Sequence, residues 1–490
     1  MKLYKILHKN SVACALLASA MMFSSCSDFL DINETPNNPV AVPTSALLPT
    51  VLTGSAFANS NELNRFGSVI MSVTAGAANS PATYDRYILS GSDFGNQWNY
   101  ELYGGALVNT VKLEEVATAI NSPAYVGIAK IMRAYNFAIA TDVWGDVPYS
   151  EALQGANISQ PKLDEQKDIY LGNSSKGITG LIELVKDGLA DLDKVSATKP
   201  GQDDTVYGGN MDNWKRAGNT LLLKLALQIS KVEPAQAKSI IDGVISGGNY
   251  IKDNSQNLGV KFGAQVNSQN PIYVYTNVSS FSTDQLISTR FVNLLKGSND
   301  PRLDKFVTKP TGDFVTIDNG FAGTVPAAAT RSKYSSYVVG AGGEAPIRLL
   351  SNWQRAFILA EAAVSLGTAG DAQALFEEGI RASMTSAGVT AEQIEEYFTE
   401  NEEALTLTGT KEQQVEKIIT QKYISLFGNG LEQWNDWRRT GYPVLAPHQN
   451  AGGIDGTRPV RAMYLESEIA RNPNFPKNIY SNVRVWWDVD

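Results

Sequence analysis

The chain holds little histidine, with His8 and His448 the two instances in 490 residues. A His-rich zinc centre is therefore excluded, and a Ser–His or Cys–His nucleophilic site would have to be built on one imidazole. Cysteine is equally scarce, at Cys14 and Cys26. Positive charge is in deficit: the formal net charge is −9, and no basic stretch is available to follow a phosphate backbone, which excludes nucleic acid as a partner. No apolar run beyond the N-terminal one approaches the roughly 18 residues of a membrane-spanning helix. Paired-carboxylate chemistry stays open, because Asp and Glu together number 50.

What is present starts with Lys2, Lys5 and Lys9, followed by an apolar stretch from Val12 to Phe23. That is signal-peptide length, and the sequence Phe23-Ser24-Ser25-Cys26 resembles a bacterial lipobox. Residues 1–25 are expected to be cleaved and Cys26 lipidated, leaving a net charge of −12 once the three lysines are removed. Cys14 leaves with the signal, so Cys26 has no disulfide partner and its thiol is read as the anchor. Several acyl chains on one residue hold a protein on a membrane stably. The rest of 26–43, rich in Asp, Asn and Pro, buries little apolar surface and is expected to be a tether. An EF-hand loop there is excluded, since Thr35 and Pro36 fall where an acid or amide and a glycine are needed.

Helical periodicity dominates the remainder of the chain. Ile128, Ile131, Met132, Tyr135, Ala138 and Ile139 fall on one face, as do Leu221, Leu222, Leu225 and Ile229. Pro234 opens a further helix carrying Ala237, Ile240, Ile241 and Val244. In residues 353–383 one helix stops at Gly367 and Asp371 caps the next. The spacing of Leu359-Ala360, Ala372, Phe376 and Gly379 follows the tetratricopeptide pattern, whose pairs must stack to bury their faces. Strand-like stretches are expected near 271–276 and 334–339. The predicted body is one mainly α-helical domain over 44–490, with loop insertions at about 250–285 and 305–347.

The segments "TDVWGDVPYSEAL" (141–153), "NWKRAGNTLLLKLAL" (213–227), "NDPRL" (299–303), "ILAEAA" (358–363) and "QKYISLFGNGLEQWNDWRRTGYP" (421–443) resemble, in this order, the SusD/RagB family. These are outer-membrane lipoproteins of Bacteroidetes. "SDFLDINETPNNP" is similar to the opening of SusD-like members, and Asp28 and Asp31 resemble their export signal to the outer face. The ending also matches, although Ala462-Met463 stands where an Arg-Leu pair is usual. The resemblance implies a fold of tetratricopeptide-like helical pairs with loops on one side. It implies capture of a nutrient, glycan ahead of peptide, for a SusC-like TonB-dependent transporter. No catalysis, cofactor or metal is expected.

Trp144, Trp434 and Trp437 lie inside these shared motifs and are expected in the core. Glu432 and Asp436, four apart on a helix beside Arg438 and Arg439, are read as a structural ion network in preference to a glycosidase pair. Gly340-x-Gly342-x-x-Ala345 imitates a dinucleotide fingerprint, but Pro346 interrupts it and a loop is expected. His448 is expected to face solvent. Ligand contacts are sought in aromatics outside the motifs, where a flat ring sits among polar groups. The candidates are Tyr84 and Tyr87; Tyr273 and Tyr275, expected on one side of a strand; Tyr334 and Tyr337; and Trp98. Two rival functions are a surface glycoside hydrolase and a scaffold binding proteins through helical grooves.

If Cys26 carries the anchor, Cys26→Ala should leave a folded protein that no longer partitions with membranes. Fractionation and a thermal melt check this; persistent membrane association would refute the lipobox.

Overall fold

Packed helical pairs make up most of residues 42–489, the part of the chain that the computed structural model describes. The signal segment 1–25, Cys26 and nearly all of the expected tether lie outside the described residues. Helix α1 (Thr44–Ser60) is followed closely by α2 (Glu62–Ile70). A wide π-helix (Gln97–Leu107) covers α1 and runs directly into α3 (Val108–Ala119). Then α4 (Pro123–Trp144) pairs with α5 (Leu181–Leu192), which packs on α6 (Met211–Gln228), and α6 on α7 (Pro234–Gly247). The last group is α8 (Asn352–Leu366), α9 (Ala372–Ser386), α10 (Lys411–Ser425) and α11 (Gly430–Thr440).

Local chemistry starts and stops these helices. Pro123 and Pro234 occupy first-turn positions that need no N–H donor. Ser351 accepts from the Gln354 amide, Asp371 from Ala374, and Thr410 forms a capping box with Gln413. Gly367 ends α8 at φ +65°, in the left-handed region. Between α8 and α9, Phe376 meets Phe357 edge-on at 6.1 Å, and a Cβ on Gly379 would lie 2.9 Å from the Phe357 ring. The expected tetratricopeptide-like crossing is therefore present.

Helix α11 is buried almost all round. Its charges are consequently paired: Glu432 with Lys224 at 2.9 Å, Asp436 with Lys422 at 2.8 Å, and Arg439 with Asp436 at 3.0 Å. Arg439 also meets Glu361 of α8 at 2.8 Å. Burial alone would push the Asp436 carboxyl up, but the adjoining Lys422 and Arg439 outweigh it and hold the group below its usual value. Arg438 lies 3.6 Å from the Trp434 ring centre and donates to the Asp142 and Val460 carbonyls. Glu432 and Asp436 are thus structural, as expected, and Trp144 and Trp434 are fully buried.

The long insertions fold back through two small antiparallel sheets. Strand β1 (Thr74–Gly76) pairs with β3 (Gln285–Ile287), and β2 (Leu258–Val260) with β4 (Ile347–Leu350). The strand expected near 271–276 is instead a helical turn: Asn270 caps it, accepting from Ile272 N at 2.8 Å, and Pro271 takes the first position. A π-turn (Val274–Val278) continues it, so Tyr273 and Tyr275 do not share a strand face. Near 334–339 a single bridge from Tyr334 to Val307 gives way to a turn of helix at Ser336–Val339, capped by Ser335. Gly340-x-Gly342 forms a loop whose amides at Ala341 and Gly342 donate to the Glu344 carboxylate.

Because Ala360 is fully buried in the α8 core, Ala360→Trp should cost about 1–3 kcal/mol by overpacking. Trp434→Ala should cost about 3–5 kcal/mol as a lost buried aromatic. Thermal or denaturant melts check both, and an unchanged midpoint in either variant contradicts the packing described.

Candidate functional site

The insertions converge beside α2. Arg65 pairs with Glu62 at 2.7 Å and approaches Asp284 at 3.5 Å. Its guanidinium lies 5.3 Å from the Tyr275 ring and 6.0 Å from the Phe281 ring. Asp284 also accepts from Asn79 at 2.9 Å, and its carbonyl accepts from Ala77 N and Ala78 N. Phe281 is held by this cluster yet remains 51% exposed. The residues after it, Ser282 and Thr283, line a cavity of about 80 Å³ with Thr74, Thr276, Gln285 and Tyr334. Leu286, Ile287 and Ala328 supply apolar wall. Neither polar atom of the Gln285 amide has a hydrogen-bond partner, nor does the Thr74 hydroxyl, although both residues are buried. A buried donor or acceptor left unpaired is costly, so these groups favour a polar ligand. An exposed ring beside amides and hydroxyls suits a hydroxyl-rich molecule. The basin does not bring a nucleophile and a general base together. Among the described residues no group of three His, Cys, Asp or Glu is arranged to hold a metal.

The aromatics chosen from sequence take different positions. Tyr84 is buried, donates to Glu62 at 2.8 Å and stacks on Phe94, and burial is the chief cause of its raised pKa. Tyr275 is buried and accepts from Asn64 at 2.7 Å. Tyr334 packs on Phe427 at 4.9 Å, and burial pushes its hydroxyl up to about 12. Trp98 packs on Trp144 at 5.1 Å and Tyr103 at 4.7 Å. Tyr337 stacks on Phe306 and carries the Arg348 guanidinium 4.4 Å from its ring centre. Tyr273, beside Gly343, is half-buried. Tyr84 and Tyr275 are thus buried, Tyr334 lines the cavity with its hydroxyl unpaired, and Phe281 presents an exposed face. Phe281 was not among the candidates, which were tyrosines and Trp98; "VSSFSTD" offers the same signal of one ring among hydroxyls.

Tyr87 and His448 belong to a separate buried knot. His448 does not face solvent: it is 4% exposed, with Tyr87 against its ring at 4.7 Å. Its Nδ1 faces the Asp85 carbonyl at 3.0 Å and Oδ1 at 3.1 Å, both acceptors, so Nδ1 carries the proton. Nε2 then accepts from the Ser72 hydroxyl at 2.9 Å. The order Ser72–His448–Asp85 imitates a hydrolase triad, with Ser72 at φ +59°. Ser72 and Asp85 are at most 1% exposed, and both Asp85 oxygens are engaged, by Asn319 at 2.7 Å and Gly320 N at 2.5 Å. No substrate face is left, and the knot joins four distant loops.

Comparison with known proteins follows the fold closely. Residues 36–465 match the SusD-like family model described as "Starch-binding associating with outer membrane". A chitin-binding protein superposes with a TM-score of 0.76 at 23% identity, covering 91% of this chain and 100% of its own. A chitin-binding SusD homolog from Flavobacterium johnsoniae gives 0.74 at 23%, covering 91% and 98%. A SusD/RagB family protein from Bacteroides thetaiotaomicron gives 0.75 at 21%, covering 91% and 99%. No curated protein matches. Among the described residues no helix is long and apolar enough to cross a membrane.

Burial lowers the His448 pKa in the folded protein below its ordinary value, outweighing Asp85. The unfolded chain takes up this proton near pH 6.5 and the native state only at lower pH, so stability falls as pH drops below about 6.5. The slope from this residue should reach at most about 1.4 kcal/mol per pH unit. Melts from pH 7 to 5 should show a smaller pH dependence in His448→Gln; equal dependence in both proteins contradicts the buried neutral imidazole.

Proposed function

The chain belongs to the SusD-like family, and on that premise we propose that it captures glycan at the cell surface and delivers it to a SusC-like TonB-dependent outer-membrane transporter. The observation that carries this reading is the basin in the insertions, where half-exposed Phe281 is followed in sequence by Ser282, Thr283 and the unpaired Gln285 amide, which line the cavity. A pyranose ring laid on Phe281 would gain stacking, and its hydroxyls would satisfy the buried amide. Chitin-binding relatives of the same fold support an oligosaccharide as ligand. Lipidation at Cys26 would hold the protein on the outer membrane, facing outward, with the tether giving it reach.

The protein acts as a binder, not a hydrolase. The carboxylates a glycosidase would need at 432 and 436 are locked into ion pairs with Lys224, Lys422 and Arg439. A peptide bound by the same machinery is the alternative ligand class; Arg331 and Lys333 line the cavity beside its hydroxyls and amide.

Affinity electrophoresis on gels containing chitin-derived, starch or other neutral glycans tests this. Phe281→Ala should weaken binding about fivefold, the effect of losing about 1 kcal/mol of stacking, with an unchanged melting temperature. Tyr275→Ala and Tyr334→Ala should instead melt earlier. Wild-type binding by Phe281→Ala would remove the basin as the site, and release of reducing ends by purified protein would overturn the non-catalytic reading.

A further inference from the structure

A different surface carries a second arrangement of ring and polar groups. Helix α1 and the π-helix bound an open cleft of about 510 Å³, within the range of small-ligand pockets. Its walls include Thr50, Thr53, Phe57, Tyr100 and Glu101. The π-helix turns Trp98 and Leu102 into the core and leaves Tyr100 74% exposed. Wide i→i+5 turns of this kind are rare and recur at functional sites. Phe57 meets Phe262 at 6.1 Å, which extends the apolar wall onto the segment before Tyr273. At one end Asn61 donates to Glu101 Oε1 at 2.6 Å. Burial, opposed by Asn61 and aided by the Glu62 charge, lifts the Glu101 carboxyl to about 7. Among the described residues no lysine or arginine lines the cleft.

We propose that this cleft is a second carbohydrate site, which takes a neutral pyranose flat against Tyr100 with its hydroxyls on Glu101 and Asn61. A large exposed ring beside a carboxyl and an amide offers stacking together with donors and acceptors for vicinal hydroxyls. Uronates and sulfated sugars are disfavoured, because Glu101 is the ionisable carboxyl lining the cleft and, among the described residues, no cation lines it. A peptide helix on the apolar wall is the competing occupant, but Glu101 Oε2 would then stay covered without a partner. Two sites on one chain would hold a polysaccharide by avidity, since the second contact becomes intramolecular.

The test uses the full chain carrying Phe281→Ala, which weakens the basin about fivefold and leaves the added Tyr100 substitutions to report on the cleft. Chitohexaose, cellohexaose, maltohexaose and hexagalacturonate are titrated calorimetrically. At least one neutral hexasaccharide should bind, and hexagalacturonate should bind more weakly. Adding Tyr100→Ala should lower that affinity about fivefold or more, while Tyr100→Phe retains it. Because Tyr100 is exposed, the melting temperature should not change. The proposal is overturned if no neutral hexasaccharide binds the Phe281→Ala protein, if Tyr100→Ala binds as tightly as its parent, or if hexagalacturonate binds equally well. Loss of binding in Tyr100→Phe as well would assign the effect to the hydroxyl and overturn stacking.

Discussion

Burying a helix that carries two acids and two arginines imposes the constraint on which this architecture depends. Each charge on α11 must find its partner, because removing one partner of a buried pair typically costs about 3–5 kcal/mol. The partners come from different helices: Lys224 from α6, Glu361 from α8 and Lys422 from α10. Arg438 reaches the Asp142 carbonyl at the end of α4. Helix α2 is drawn in more closely still, since a Cβ on Gly67 would lie 2.5 Å from the Gly430 backbone. Five helices are therefore set in place by one.

That constraint extends to the ligand basin through a single side chain. Asn64 of α2 accepts from the Gly430 amide at 2.7 Å and donates to the Tyr275 hydroxyl at 2.7 Å. One residue along, Arg65 lies against Tyr275 and Phe281. The rigid helical body thus holds the irregular insertions from below, which leaves their surface residues open to variation without loss of the fold. This division explains how relatives only 21–24% identical keep the same architecture.

The helical pairs and their ends were legible because they depend on neighbours in sequence: apolar period, Pro at a first turn, Asp371 and Gly367 at caps. The burial of Trp144 and Trp434 followed from their place in the shared family motifs, whereas Trp437 of the same motif is only partly buried. The tyrosines were harder, because Tyr84, Tyr87, Tyr275 and Tyr334 sit in polar stretches and become buried through partners far away in the chain. Tyr275 meets Asn64, and Tyr87 meets His448, across hundreds of residues. One local signal was available and misread: Asn270-Pro271 is a helix start, which rules out the strand expected there. Tyr100 was legible too, two positions from Trp98 and Leu102 and so on the opposite helix face.

The claim that Tyr84 and Tyr275 stay buried while Phe281 and the Gln285 pocket contact ligand is tested most directly by a crystal structure. The protein would be soaked with the neutral oligosaccharide that it binds on affinity gels. The account predicts a sugar ring over Phe281 with a hydrogen bond to the Gln285 amide, and the buried Tyr84 and Tyr275 unmoved. Sugar density elsewhere with the basin unaltered, or either of those tyrosines swung out to meet the ligand, would contradict it.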